Sequence, residues 1–163
     1  MIRHAHIDDA ERIEEIVQQS LDLKYVTALQ SPMGIKKRKH WIEHRAKNHP
    51  VFVYEEDGQL IGYIALSAYR PQRPSLDRTA LISYFVDNKH FQKGVASALL
   101  QYLINYLKTT SIKVIIAIIL DGNERSIKLT EKFGFEQWAY LPDVFEAYDK
   151  VLSQVYMGKV LDQ

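Results

Sequence analysis

Apolar positions along this chain recur first with the period of a helix, then with that of strands, and afterwards alternate between the two. Residues 1–5 can pair as a short strand. Ala10, Ile13, Val17 and Leu21 then follow at spacings of three and four, the pattern of a helical face turned toward a core. Asp8, with Glu11 three residues on, is placed to cap that helix. The helix must end before Ser31-Pro32, because proline lacks the amide that a helix needs and restricts the residue ahead of it. A second helix is expected over 35–47, turning Lys36, Lys37, Arg38, Lys39, Arg45 and Lys47 to solvent and keeping Ile35, Trp41 and Ile42 for the core.

The period then shortens. Residues 51–56 and 59–66 read as strands joined by Asp57-Gly58, a two-residue turn that tolerates the positive φ a tight hairpin demands. A proline-bearing loop over 69–77 leads to a third strand over 79–86. Val95, Leu99, Tyr102, Leu103, Tyr106 and Leu107 give an amphipathic helix over 94–108. Residues 112–120 are almost wholly β-branched or leucine, as expected of a central strand buried on both faces. A helix over 123–133 is capped by Asn123 and stopped by Gly134, and 135–141 and 150–160 supply the last strands. This order defines an α/β (α+β) sheet, expected as one domain over 1–163. The helical crossover from 79–86 to 112–120 implies a parallel pair at its centre.

Composition narrows the function. The 21 Lys+Arg and 20 Asp+Glu leave a net charge of +1, too little for a broad field that would hold nucleic acid or an anionic membrane. No cysteine is present, which excludes thiolate catalysis and thiolate metal sites and suits a reducing cytoplasm. The N-terminus has no apolar core of a signal peptide, and no apolar run approaches the roughly 18 residues of a membrane span.

Candidate chemistry centres on Val86 to Ser97, where an apolar strand opens into a loop whose Gly94 and Ala96 begin the long helix. Small residues let a ligand approach the backbone. The first-turn amides have no acceptor within the helix, and its dipole favours an anion there by on the order of 1 kcal/mol; Lys93 adds charge. Neither a Walker loop nor the dinucleotide glycine pattern occurs in the chain. Together with the segment Asn123-Glu124-Arg125-Ser126-Ile127-Lys128-Leu129-Thr130, this loop resembles the GNAT superfamily of acetyl-CoA-dependent N-acetyltransferases. The likeness spans nearly the whole chain and is nearest to the phosphinothricin and methionine-sulfoximine acetyltransferase branch, which has a similar hairpin and a similar Tyr69-Arg70-Pro71 loop.

The resemblance implies a mixed, largely antiparallel sheet with a splayed parallel pair. It implies that the loop amides of Gln92, Lys93, Gly94, Val95, Ala96 and Ser97 bind the CoA pyrophosphate. Tyr84, Phe85 and Val86 would pair with the pantetheine arm, with Asn123 and Ser126 on its other side. It also implies a small-molecule amine as acceptor, with Tyr69, Arg70 and Leu81 beside it, and a homodimer whose interface Trp138, Tyr140 and Phe145 could serve. Two departures stand out. The superfamily usually carries Gln or Arg three residues before the central glycine, where this chain has Phe91. The branch is expected to carry a glutamate base at the position of Leu81, and often a tyrosine or histidine acid at that of Thr130.

The chemistry therefore stays open at this point. An amine with a pKa near ~10.4 costs about 4 to 5 kcal/mol to deprotonate at pH 7, and the hydroxyls of Ser83 and Thr130 are the catalytic candidates that remain. One reading is acetyl transfer by direct attack in a ternary complex, driven mainly by alignment and a polarised thioester; another is acyl-CoA binding with weak or no turnover. A third class is raised by His40-Trp41-Ile42-Glu43-His44, which matches the H-x-x-E-H zinc-hydrolase spacing but shows no third ligand on a following helix. No metal is expected.

Overall fold

Asp57 and Gly58 take φ of +50° and +76°, and the turn they make joins β2 (Val51–Glu56) to β3 (Gln59–Ala68). From that hairpin the computed structural model, which describes residues 1–161, extends to a seven-stranded sheet. Its other strands are β1 (Ile2–His4), β4 (Thr79–Val86), β5 (Val114–Leu120), β6 (Glu136–Ala147) and β7 (Lys150–Val160). The strand order is β1-β2-β3-β4-β5-β7-β6. Every neighbouring pair is antiparallel except β4 and β5, which are joined by the crossover helix α3 (Val95–Leu107). The remaining helices are α1 (Ala10–Asp22), α2 (Ile35–Glu43) and α4 (Glu124–Lys132).

The sheet is covered on both faces. Leu99, Leu100, Leu103 and Leu107 of α3 pack on Phe52, Ile64, Leu66, Ile82 and Ile115, while Ile13, Ile16 and Val17 of α1 and Ile42 of α2 pack on Val51, Val53, Tyr63 and Ala65. Burying each such side chain contributes roughly 1.5–3 kcal/mol. Gly62 is required beneath α3, since a Cβ there would lie 3.0 Å from Val95 Cγ1 and 3.1 Å from the Phe85 carbonyl oxygen.

Several local expectations are corrected. Asp8 does not cap the first helix: a 3₁₀ turn over Ile7–Asp9 precedes it, His6 Nδ1 accepts from the Asp8 amide, and Asp9 accepts from the His6 amide at 2.7 Å. Asp9 prevails because Arg3 grips its carboxylate through two nitrogens, at 2.8 and 2.9 Å. The end of that helix ahead of Ser31-Pro32 is as expected: it stops at Asp22, with Lys24 and Tyr25 at φ of +51° and +52°. α2 ends at Glu43 rather than at residue 47, and Arg38 points inward while Ile35 is 45 % exposed. β5 is not buried throughout, because Ile118 is 37 % exposed. β6 runs six residues past 141, carrying Pro142 on an edge strand where the register shifts between Leu141 and Phe145, a place where proline's missing donor is tolerated.

Candidate active site

Pairing between β4 and β5 runs from Thr79–Val114 to Ile82–Ala117 and goes no further. Right-handed sheet twist and the need to reach different flanking helices carry the strand ends apart. The gap opens into a cavity of about 1020 Å³ that passes from the start of α3, between β4 and β5, to the face covered by α1 and α2. Ser83, Tyr84, Phe85 and Val86 line one wall, and Ala117, Ile118, Ile119 and Leu120 the other. Clefts at a sheet's carboxyl ends, where neighbouring strands diverge, are where α/β folds bind ligands.

At the α3 end, backbone geometry makes the site. Gly94 occupies the N-cap in the left-handed region, φ +84° and ψ 0°, two residues after Gln92 at φ +62°. A Cβ added to Gly94 would meet nothing within 4 Å, so its face is open to a ligand. The first amide donating into α3 is that of Ala98, to Gly94 at 2.9 Å, which leaves the amides of Val95, Ala96 and Ser97 without an intrahelical acceptor, beside the positive end of the helix dipole. Gln92, Gly94, Val95, Ala96 and Ser97 all line the cavity. These features fit a pyrophosphate, and the slot beyond Ile82 fits an extended pantetheine arm; they are the residues that could hold acetyl-CoA.

The loop is braced from beneath. The Asp87 carboxylate caps the turn after β4 by accepting from the Lys89 amide at 2.9 Å, and it pairs with Arg12 of α1. Burial opposes its charge, but the Lys89 amide and Arg12 hold the carboxyl below its ordinary range. Gln19 Oε1 accepts from the Asn88 amide at 2.9 Å. Phe91, where the superfamily usually has Gln or Arg, lies under the Arg125 guanidinium at 4.4 Å. The α4 side chain thus brings a cation to the place its own loop lacks one.

Asn123 and Ser126 line the cavity from the start of α4. Asn123 Oδ1 accepts from the Ser126 amide at 3.3 Å, while its Nδ2 donates to the Val26 carbonyl at 3.1 Å. One residue thus caps α4 and anchors the α1–α2 loop. The Tyr84 hydroxyl points at the Ser126 carbonyl, 3.5 Å away, and burial pushes its pKa up to about 12, so it keeps its proton across the neutral range.

The other expected site residues fall elsewhere. Thr130 is fully buried, its hydroxyl donating to the Ile127 and Ser126 carbonyls of its own helix at 2.8 and 3.1 Å, and it is not among the lining residues. Leu81 sits between Ser67 and Ile116 in the sheet. Tyr69 and Arg70 stack on each other in the β3–β4 loop, 4.9 Å apart; these residues, Leu81 and Lys93 lie outside the lining. His40 and His44 stack at 3.8 Å on the exposed side of α2, and among the described residues no group of three His, Cys, Asp or Glu is placed to hold a metal, which leaves the hydrolase spacing without a third ligand.

The far end of the cavity carries no sequence motif. Leu23, Val26, Leu29, Met33 and Trp41 give it an apolar wall, into which Arg38 and Tyr63 reach. Arg38 is 5 % exposed and donates from Nε to Glu14 Oε1 at 2.6 Å, and Glu14 also accepts from the Gly34 amide at 2.7 Å. A signal was available: Arg38 lies three and four residues before Trp41 and Ile42, on their helical face, as Glu14 does before Val17.

This splayed pair ending at a glycine-capped helix is accompanied by a direct sequence match: the profile described as Acetyltransferase (GNAT) domain matches residues 2–150. The chain belongs to the GNAT acetyltransferases. It is similar to the L-methionine sulfoximine/L-methionine sulfone acetyltransferase of Pseudomonas aeruginosa, at 28% identity over 99% of this chain and 94% of that one. Among solved structures, an N-acetyltransferase from Staphylococcus aureus Mu50 superposes with a TM-score of 0.93 at 32% identity, covering 99% of this chain and 98% of the other. A Salmonella typhimurium structure containing its cofactor acetyl-CoA superposes with a TM-score of 0.93 at 28% identity, covering 100% and 94%. The GNAT chain described here is accordingly an N-acetyltransferase, and among its described residues no helix is long and apolar enough to cross a membrane.

Proposed function

We propose that this GNAT enzyme transfers an acetyl group from acetyl-CoA directly to the primary amine of a small molecule, an amino acid or an amino-acid analogue. The observation that carries the reading is the continuity of the cavity from the Gly94 amides through the β4–β5 gap to the α1–α2 face: donor and acceptor enter from opposite ends and meet at the splay. Support comes from the acceptors in the name of the Pseudomonas relative and from the cofactor in the Salmonella neighbour.

Acetyl-CoA supplies an activated thioester. Gln92, Gly94, Val95, Ala96 and Ser97 bind the pyrophosphate, Tyr84, Phe85 and Val86 pair with the arm through their backbone, and Asn123 and Ser126 close it in. Ser83, an exposed hydroxyl in the wall at the splay, orients the amine, while the Tyr84 hydroxyl, still protonated at neutral pH, is a hydrogen-bond donor for the departing sulfur, and the thiolate takes its proton from water. Thr130, whose proton is committed to its own helix, has no part in this. With Leu81 in the base position the amine loses its proton to water, and alignment supplies most of the rate. The reading also takes residues 1–163 as one domain acting in the cytoplasm as a homodimer, with Trp138 and Tyr140, 45 % and 52 % exposed on the edge strand, at the interface.

The test is calorimetry with acetyl-CoA followed by thiol release across an amine panel that includes L-methionine sulfone and phosphinothricin. Micromolar binding and release with amino-acid acceptors are expected. Absence of binding at millimolar acetyl-CoA would overturn the donor assignment, and binding without release for any amine would overturn the acceptor assignment.

A further inference from the structure

Arg38 is unusual among the buried groups because its charge is only partly answered. Its Nε is bonded to Glu14, and among the described residues its terminal nitrogens have no hydrogen-bond partner. They are also not among the unpartnered atoms that are sealed from solvent, which are Arg45 Nη2, His49 Nε2 and His90 Nδ1. Since Arg38 is 5 % exposed and lines the cavity, the access those nitrogens have is through the cavity. Glu14 and the Trp41 ring, 4.6 Å from the guanidinium carbon, fix the plane of the group. Preorganised in this way, a guanidinium presents two parallel donors to a carboxylate and loses little entropy on binding it.

The surroundings favour an anion. Arg45 also lies over the Trp41 ring, at 4.6 Å, outside the cavity lining, and its guanidinium is held below its ordinary pKa by burial and by Arg38. Glu14 is the one carboxylate hydrogen-bonded to Arg38, and with Arg45 adding positive potential nearby, a further carboxylate on the open terminal nitrogens is favoured. Tyr63, 2 % exposed, stacks on Phe85 at 5.3 Å and lines the same end; its hydroxyl has no partner among the described residues and feels both Arg38 and Glu14.

Resting on the amine-acetylation reading above, we propose that Arg38 determines acceptor specificity: its terminal nitrogens, with the Tyr63 hydroxyl, bind the carboxylate of a zwitterionic amino acid. The apolar wall of Leu23, Val26 and Met33 takes an uncharged side chain, and the amine is left facing the splay. Acceptors without a carboxylate, such as simple alkyl amines and polyamines, leave the buried charge unanswered and are discriminated against.

The test compares L-methionine sulfone with its carboxamide, as kcat/KM per unprotonated amine so that their different amine pKa values do not enter. The wild-type enzyme is expected to prefer the acid by about 10- to 100-fold, the span of a charge-assisted hydrogen bond. Arg38→Gln is expected to bring that ratio close to one, through KM for the acid, while the Kd for acetyl-CoA is unchanged; Arg38→Lys retains part of the preference. Because Arg38→Gln strands Glu14, the double variant Glu14→Gln/Arg38→Gln is measured beside it, and calorimetry of L-methionine sulfone with each folded variant reports binding apart from turnover. A folded variant that keeps the acid preference overturns the assignment, as does a wild-type enzyme that acetylates amines with no preference for the acid. Failure to acetylate any amine overturns the acetylation reading itself and this inference with it.

Discussion

The two ends of the cavity are built by different means. At the α3 end the groups open to a ligand are backbone amides, left without intrahelical acceptors where Gly94 takes φ +84° and the helix begins. At the α1–α2 end the recognising groups are the side chains of Arg38 and Tyr63, held by Glu14, Trp41 and Phe85. A backbone cradle tolerates many sequences that respect its conformation. The opposite corner depends on particular residues from four elements, so the α3 end suits a ligand common to a whole family and the α1–α2 end one that varies within it.

Breaking the backbone end has the largest expected effect. Gly94→Glu places a side chain and a negative charge in the cradle, and calorimetry should show acetyl-CoA binding weakened at least about a thousandfold, or about 4 kcal/mol, with the folded circular dichroism spectrum retained. Unchanged affinity would reduce the loop to a turn. At the side-chain end, Glu14→Ala leaves the Arg38 guanidinium buried beside Arg45 without its carboxylate, and urea denaturation should show a loss of about 3 kcal/mol, against little change in acetyl-CoA affinity per folded molecule. Asn123 serves both ends, as cap of α4 and tether of the Val26 carbonyl; Asn123→Ala is expected to cost about 1 kcal/mol and to raise KM for donor and acceptor together, whereas a rise for one alone would show that the two ends are independent.

Two pH measurements sharpen the contrast. On the proposed route the amine loses its proton to water, since Leu81 has no basic group and Tyr84, its pKa pushed up to about 12, is not ionised. The logarithm of kcat/KM for the acceptor should therefore rise with unit slope up to the amine's own pKa; a plateau near pH 6 to 7 would reveal a base. The smallest effect concerns the brace. Asp87 and Asp9 have depressed pKa values in the fold, so their contributions are complete above the ordinary carboxylate value of ~3.9 and are lost as the pH falls through the lower folded values. Thermal midpoints should fall in that acid range, and Asp87→Asn should remove part of the fall.

The donor end was legible because its determinants are local. Residues 86–97 contain the strand end, the turn and the helix start, and Gly94 marks the one position where conformation excludes other residues. The same locality made the Asp57-Gly58 hairpin and the Asn123 cap readable. Tyr69, Arg70, Leu81 and Thr130 were named by resemblance, and the fold places all four away from the cavity lining, because likeness conveys order along the chain but not which residues face one space. Arg38 belongs by composition to a solvated basic run; its spacing to Trp41 and Ile42 points inward, but the counter-charge that makes burial tolerable lies 24 residues earlier.

The sequence by itself determined the elements, their order, the parallel pair and the glycine-opened helix, since each follows from backbone preferences and periodicity within a dozen residues. Only the tertiary structure decided where β4 and β5 part, that Arg125 covers Phe91, and that Arg38, paired with Glu14, and Tyr63 meet in the lining of one cavity. Those arrangements depend on the packing of segments distant in sequence, where the cost of burying a charge can be judged only once its partners are in place.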